Sequence, residues 1–241
     1  MTTEYVRIDQ HYCGPPNSGN GGYTCGVTAS RLEGAVRVRL KAPPPLDTDL
    51  RLESAAEEAR LFHGDTIIAE AKRAELDLEV PRSPSFVAAE LASRSYIGFQ
   101  HHTFPTCFVC GPKRNEGEGL RIFPGPVHDS DAIAAPWTPD ESLADQTGIV
   151  KRLFVWAALD CPGAFVFYPL AEGVAIVLGE LTASINTTLA PGERCVVMGW
   201  PLGSEGRKRF SGTAIHGPDG RLVAKARAVW IEVPGGAWNA A

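Results

Sequence analysis

The sequence lacks the features that would place the protein in a membrane or send it out of the cell. None of its apolar runs continues for the roughly 18 residues that a membrane-spanning helix needs. Its opening residues do not combine a basic segment with a following apolar one, which is the pattern of a secretion signal. We therefore expect a cytoplasmic protein with no membrane insertion.

An excess of positive charge is also absent. The chain has 23 Lys and Arg residues against 28 Asp and Glu residues, a formal net charge of -5, and both signs are spread along it. Nucleic acids and anionic membranes are bound by basic patches, and none is apparent here. We expect no nucleic-acid partner.

Two kinds of catalytic motif are missing as well. The pentapeptide Gly-x-Ser-x-Gly of serine hydrolases does not occur. Cys107-x-x-Cys110 has the spacing of half a zinc site, with His101 and His102 nearby, but no second such pair or spaced histidine pair completes four ligands. We therefore predict no metal and no organic cofactor. The six cysteines are predicted to be reduced thiols, because a cytosolic chain of this length needs no disulfide framework.

The sequence contains the same order of predicted elements twice. In each half, one helical segment precedes a series of strands. In the first half, a helical pattern opens at residues 20–23, and an alternating strand follows at residues 36–40. In the second half, a helical run over about residues 149–167 precedes strands at residues 180–189 and 194–200. The chain is long enough for two such units.

The two halves are most alike in the segments 67–74 and 222–229, whose sequences are similar. Each of these segments follows a predicted hairpin turn. A connector with one short helical piece, around residues 86–92, separates the halves. We predict an α+β protein of two units, residues 1–100 and 101–241, each with an antiparallel sheet packed on a central helix.

A single carboxylate lies inside an apolar stretch, Asp160 in VWAALDCPGAF. If residues 150–161 form a helix, Asp160 lies at the edge of its apolar stripe, where an ionised carboxylate needs hydrogen-bond donors. The alternative is that Asp160 ends the helix before Pro162 and points to water.

The second candidate is the glycine pair at positions 21 and 22, which opens the first predicted helix. Amide groups at a helix start have no intrahelical acceptor and can bind a ligand oxygen. The alternative is a flexible turn without a binding role.

Several stretches resemble the hotdog superfamily, and in particular the double-hotdog acyl-CoA thioesterases. They are residues 20–23, 158–160 and 181–185, together with the loop 107–111 leading to 119–122, which is similar to single-hotdog thioesterases. No histidine follows an aspartate or asparagine by five residues, the spacing of the hydratase branch of that superfamily.

The resemblance implies a site between two hotdog units that hydrolyses an acyl-CoA or related thioester. The amides of Gly22 and Tyr23 would polarise the thioester carbonyl, Asp160 would orient or deprotonate water, and Thr182 would help to hold that water. The predicted substrate-binding residues are Asn20, Gly21 and Trp156, although a tryptophan more often fills a core.

The sequence departs from this family pattern at one point. A glutamine on the last strand of those thioesterases is missing from residues 227–230. The alternative function is therefore a protein that binds an acyl group or acyl-CoA without hydrolysing it. Either protein could form a homodimer.

Overall fold

The computed structural model describes residues 1–238, and its strands form one antiparallel sheet. The first part of the chain supplies β1 (Thr2–Arg7), α1 (Gly21–Thr28), β2 (Val36–Leu40), β3 (Asp49–Ser54), β4 (Glu58–His63) and β5 (Thr66–Arg73). The connector carries α2 (Phe86–Ser93). The remainder supplies β6 (Gly125–Pro126), β7 (Ile133–Trp137), α3 (Arg152–Ala158), α4 (Cys161–Phe165), β8 (Val174–Ile185), β9 (Cys195–Glu205), β10 (Lys208–His216) and β11 (Leu222–Pro234).

The strand order across the sheet is β1-β3-β4-β5-β2-β8-β11-β10-β9-β7-β6. The two parts of the chain meet where β2 pairs with β8, with Val36 opposite Ala183 and Val38 opposite Leu181. On the exposed side of this junction, Arg39 forms an ion pair with Glu180 at 2.5 Å. The predicted α+β class is confirmed, and the two sets of strands form one continuous sheet.

The sheet has helices on both faces in its second half. Along β7 and β9, Ala135 and Val197 join the main core, which also contains α1, α3 and α4. Their neighbours Ala134 and Val196 point to the opposite face and pack in a second cluster with Ala89 of α2. Because strand side chains alternate between faces, both sides of these strands are buried.

Glycines bring helices α1 and α3 close together. A Cβ atom on Gly26 would lie 2.7 Å from Cα of Leu153, and one on Gly22 would lie 2.7 Å from the carbonyl oxygen of Trp156. Contacts this short leave no room for a side chain, so α1 and α3 touch backbone to backbone. The start of α1 is thereby held beside the end of α3.

The predicted continuous helix through Cys161 is wrong. The chain forms α3, leaves the helix at Leu159 and Asp160, and begins α4 at Cys161. Pro162 explains the break, because proline has no amide hydrogen and its ring clashes with the carbonyl four residues earlier. The alternative that Asp160 points to water is wrong as well, since this residue is only 3% exposed.

No helix in residues 1–238 is both long and apolar enough to cross a membrane.

Candidate active site

The carboxylate of Asp160 is held by two donors from the other half of the chain. Its Oδ2 atom accepts hydrogen bonds from Nδ2 of Asn20 and from the backbone amide of Gly22, both at 2.8 Å. Asp160 lies at the start of α4, but its side chain does not cap that helix. The break in the helix instead turns the carboxylate toward the start of α1.

The second oxygen of Asp160, Oδ1, is buried and has no hydrogen-bond partner among the described residues. Burial raises the pKa of Asp160 to about 7, and the hydrogen bonds from Gly22 and Asn20 oppose that rise. The site thus contains one carboxylate oxygen that is fixed by the protein and one that is not.

Asn20 links this carboxylate to helix α1. Its Oδ1 atom accepts a hydrogen bond from the amide of Tyr23 at 2.9 Å, which caps the helix. This bond fixes the orientation of the side-chain amide, so that Nδ2 faces Asp160. The buried side chain of Asn20 therefore both caps helix α1 and positions the carboxylate of Asp160.

The predicted roles of the Gly22 and Tyr23 amides do not agree with these contacts. The Gly22 amide donates to Asp160 and the Tyr23 amide donates to Asn20, so neither is free to bind a thioester carbonyl. Both amides are engaged because a side chain caps each of them, which the glycine motif alone could not reveal. The amide of Gly21, the first residue of α1, has no intrahelical acceptor.

A cavity of about 300 Å³ lies next to these residues, and its lining is largely apolar. Asn20, Gly21 and Asp160 contribute the polar end. The apolar walls come from β2, α4, β8, β11 and the loops after β2 and α2, and include Leu40, Phe104, Phe165, Ile176, Leu178 and Trp230. A concave, largely apolar space with a few converging polar groups is typical of a small-molecule site.

Four of the predicted site residues do not line this cavity, namely Gly22, whose amide bonds Asp160, and Tyr23, Trp156 and Thr182. The ring of Tyr23 stacks on Tyr12, with centroids 4.2 Å apart, and is part of the core. Trp156 lies in the contact between α1 and α3. Thr182 lies on β8 between Arg37 of β2 and Arg227 of β11.

The last strand, β11, in which the sequence lacks the glutamine of the family pattern, presents other residues to the cavity. Trp230 and Ile231 of β11 line the cavity. The indole Nε1 of Trp230 donates to Oγ of Ser211 at 3.0 Å, so its polar group is already engaged. This wall of the site is therefore apolar.

Sequence reasoning considered His102, Cys107 and Cys110 only as half of a metal site and did not place them, or Cys161, in the cavity wall, where the structure has all four. The three sulfur atoms lie within 4.8 Å of one another. Hydrogen bonds from the thiols of Cys110 and Cys161 hold the pKa of Cys107 well below its usual range. The Cys-x-x-Cys spacing was the only sequence signal for this cluster, since Cys161 is 54 residues from Cys107.

No protein-family model and no curated protein matches the sequence. Solved structures do match, over nearly the whole chain. A tesB protein from Mycobacterium avium subspecies paratuberculosis is 13% identical with a TM-score of 0.64, covering 96% of this chain and 93% of that one. A protein of unknown function with a hotdog fold from Alicyclobacillus acidocaldarius is 10% identical, with a TM-score of 0.59 and coverage of 96% and 93%.

A third similar structure, provisionally named an oleoyl thioesterase, comes from Lactobacillus plantarum. It is 12% identical with a TM-score of 0.57, and the match covers 96% of both chains. Similarity at this level of identity concerns the fold. The chain has the hotdog fold of thioesterase-like proteins.

Proposed function

We propose that the protein hydrolyses a thioester, an acyl-CoA or a related compound, in the cavity beside Asp160. The proposal depends on one observation, which is that the two oxygen atoms of the Asp160 carboxylate differ in their hydrogen bonding. Asn20 and Gly22 fix Oδ2, whereas the buried Oδ1 has no partner in residues 1–238 and belongs to a residue of the cavity wall. Such an oxygen can orient an attacking water and accept its proton.

The Gly21 amide would polarise the thioester carbonyl. Gly21 lines the cavity, and a Cβ atom there would lie 2.9 Å from Cδ2 of Leu178, so any other residue would crowd this wall. Its amide carries the partial positive charge of a helix start toward developing negative charge on the oxygen. The apolar walls would hold the acyl group.

The likeness of the fold to a protein provisionally named an oleoyl thioesterase supports the same reaction. The division of the donors supports two hotdog units in one chain, since Asn20 and Gly22 come from the first set of elements and Asp160 from the second. The proposed protein would act without an organic cofactor, and two copies could associate as a homodimer.

Non-catalytic binding of the same ligands is the second candidate function. It is favoured by the absence of a threonine or glutamine among the described residues of the cavity wall. Without those groups, Asp160 would have less help in holding a water molecule. This candidate and the first use the same cavity and differ in whether free thiol is released.

The test is a thiol-release assay over a panel of aliphatic and aromatic acyl-CoA substrates. The wild-type protein is expected to release thiol, and Asp160→Asn is expected to reduce kcat about 10²- to 10⁴-fold, because it removes the base but keeps the shape. Asp131→Asn, a change of the same kind at an exposed position, serves as the control and should keep full activity.

Wild-type turnover by a folded Asp160→Asn protein would refute the mechanism. Calorimetric binding of an acyl-CoA with no thiol released over hours would select the binding function instead.

A further inference from the structure

Three buried thiols meet at one wall of the cavity. Cys107 and Cys110 come from the loop that follows the connector, and Cys161 is the first residue of α4. All three line the cavity, and their sulfur atoms form a group within 4.8 Å. The predicted absence of a metal assumed that no further ligand joins the Cys107–Cys110 pair, but Cys161 does so in space.

The spacing of the sulfurs suits a tetrahedral metal ion. Sγ of Cys107 and Sγ of Cys161 are 3.7 Å apart. In a tetrahedral zinc site with bonds of about 2.3 Å, two sulfur ligands lie about 3.8 Å apart. The pair is thus separated as two ligands of one zinc ion would be.

The loop that carries the first two thiols turns tightly, so that the sulfur atoms of Cys107 and Cys110 lie close together. The loop closes with the Gly111 amide donating to the Cys107 carbonyl at 2.9 Å, and a Cβ atom on Gly111 would lie 2.5 Å from that oxygen. This backbone geometry leaves no room for a side chain at Gly111 and brings the first two thiols to the same wall of the cavity.

The residue that caps helix α1, Asn20, provides a hydrogen-bond donor close to the cluster. Nδ2 of Asn20 lies 3.9 Å from Sγ of Cys107 and 4.0 Å from Sγ of Cys161, within the range of weak N–H···S contacts. Hydrogen bonds to metal ligands of this kind orient the ligands and tune the metal. The side-chain amide of Asn20 therefore provides the supporting contact that thiolate ligands commonly receive.

The fourth ligand position is left to the cavity. His102 is close by, but the Phe104 amide donates to its Nδ1 atom at 2.9 Å, which places the proton of the neutral ring on Nε2. That nitrogen then has no lone pair for a metal. No other Cys, His, Asp or Glu atom joins the three sulfurs within 4.8 Å in the described part of the chain.

We propose that Cys107, Cys110 and Cys161 bind a zinc ion whose fourth coordination position opens into the cavity beside Asp160. Thiolate ligands favour thiophilic ions such as Zn²⁺ over Mg²⁺ or Ca²⁺. Three protein ligands with one open position is the arrangement of zinc sites that bind water or substrate, whereas structural sites use four protein ligands. Metal binding here does not depend on the hydrolytic function proposed above.

Cobalt substitution of the full-length protein tests the site without any thioester. The metal-free protein, kept reduced, is titrated with Co²⁺ and then with Zn²⁺. We expect a thiolate-to-cobalt charge-transfer band and the visible absorption of tetrahedral Co²⁺, saturating at about one ion per chain and displaced by Zn²⁺.

Three variants locate the ligands. Cys161→Ala and Cys110→Ala should each weaken zinc binding more than about 100-fold, since even changes to residues that only support metal ligands cost 10- to 100-fold. Cys195→Ala is the matched control, because Cys195 is also a buried free thiol but lies outside the group. It should leave zinc affinity unchanged.

Absence of the cobalt–thiolate band in the reduced wild-type protein overturns the proposal, as does equal weakening in the Cys195→Ala control. A Cys107–Cys161 disulfide in the purified protein, with no cobalt band after reduction, also overturns it. The wild-type titration needs no variant, so the proposal stays testable if a cysteine variant does not fold. Failure of thiol release would bear on the proposed hydrolysis alone.

Discussion

At the scale of single residues, Gly22 decides how closely α1 approaches Asp160. A Cβ atom at position 22 would lie 2.5 Å from Cβ of Asp160 and 2.7 Å from the carbonyl oxygen of Trp156. Neither neighbour is the flexible end of a side chain. Any larger residue must therefore separate the amide of Gly22 from the carboxylate that it bonds.

We expect Gly22→Ala to lower the free energy of unfolding by about 1 to 3 kcal/mol, the usual effect of overpacking. It should also reduce thiol release, because the Asp160 carboxylate would be displaced. Urea unfolding and the acyl-CoA assay measure the two effects. Gly236→Ala is the control, since a Cβ atom there meets nothing within 4 Å. Wild-type stability and activity in Gly22→Ala would contradict this account.

The burial of Asp160 could be predicted from its apolar neighbours, but its partners could not. Asn20 and Gly22 are 140 and 138 residues away in the sequence, and only the folded chain brings them together. The same is true of Cys161, which completes a group begun at Cys107. Thr182 was chosen from family resemblance, and the register of β8 places it away from the cavity.

At the scale of elements, helix α1 and the site share one cap. Asn20 accepts from Tyr23 and donates to Asp160, so the end of the helix and the carboxylate are stabilised together. Helix α2 has a cap of the ordinary kind, in which Ser85 accepts from Ala88 at an exposed position. The two caps allow a matched comparison.

We expect Asn20→Ala to cost about 2 to 4 kcal/mol of unfolding free energy, combining a lost cap with a buried carboxylate that loses a donor. Ser85→Ala removes a cap alone and should cost about 1 kcal/mol. Thermal or urea unfolding of both variants makes the comparison. Equal losses would mean that the Asn20–Asp160 bond contributes nothing measurable.

Elements with a strong local pattern were predicted well. The alternation at residues 36–40 matches β2, and the hairpin turn expected before residues 67–74 matches the turn between β4 and β5. The second helix was predicted too long because its apolar residues continue past the break that Pro162 imposes. Periodicity reports which side of a segment is buried, and it does not report where the backbone changes direction.

At the scale of the whole molecule, the sheet couples the two parts of the chain. β2 and β8 pair directly, and α1 packs against α3 across this junction. The main hydrophobic core is a single cluster that contains buried residues from both parts of the chain, from Ile8 to Trp230. Neither part can therefore unfold without exposing the core of the other. The predicted division near residue 100 stays a prediction about the chain's organisation.

We expect unfolding in urea to be a single transition. All five tryptophans lie between residues 137 and 238, so their fluorescence reports the second part, while hydrogen exchange of β4 amides reports the first. The two probes should give the same midpoint. The core variant Val38→Ala in β2 should lower both midpoints together, and two separate transitions would contradict the coupling.

The outer strands of the sheet are unequal. β6 has two residues and ends in Pro126, which has no amide hydrogen to donate. β1 has six residues, presents Tyr5 to solvent, and no strand described in residues 1–238 pairs with its outer side. A sheet that is blocked at one margin can be extended only at the other. If two molecules pair through their β1 strands, neither keeps an open sheet edge for a third molecule. Such an assembly stops at the dimer and does not grow into a fibre.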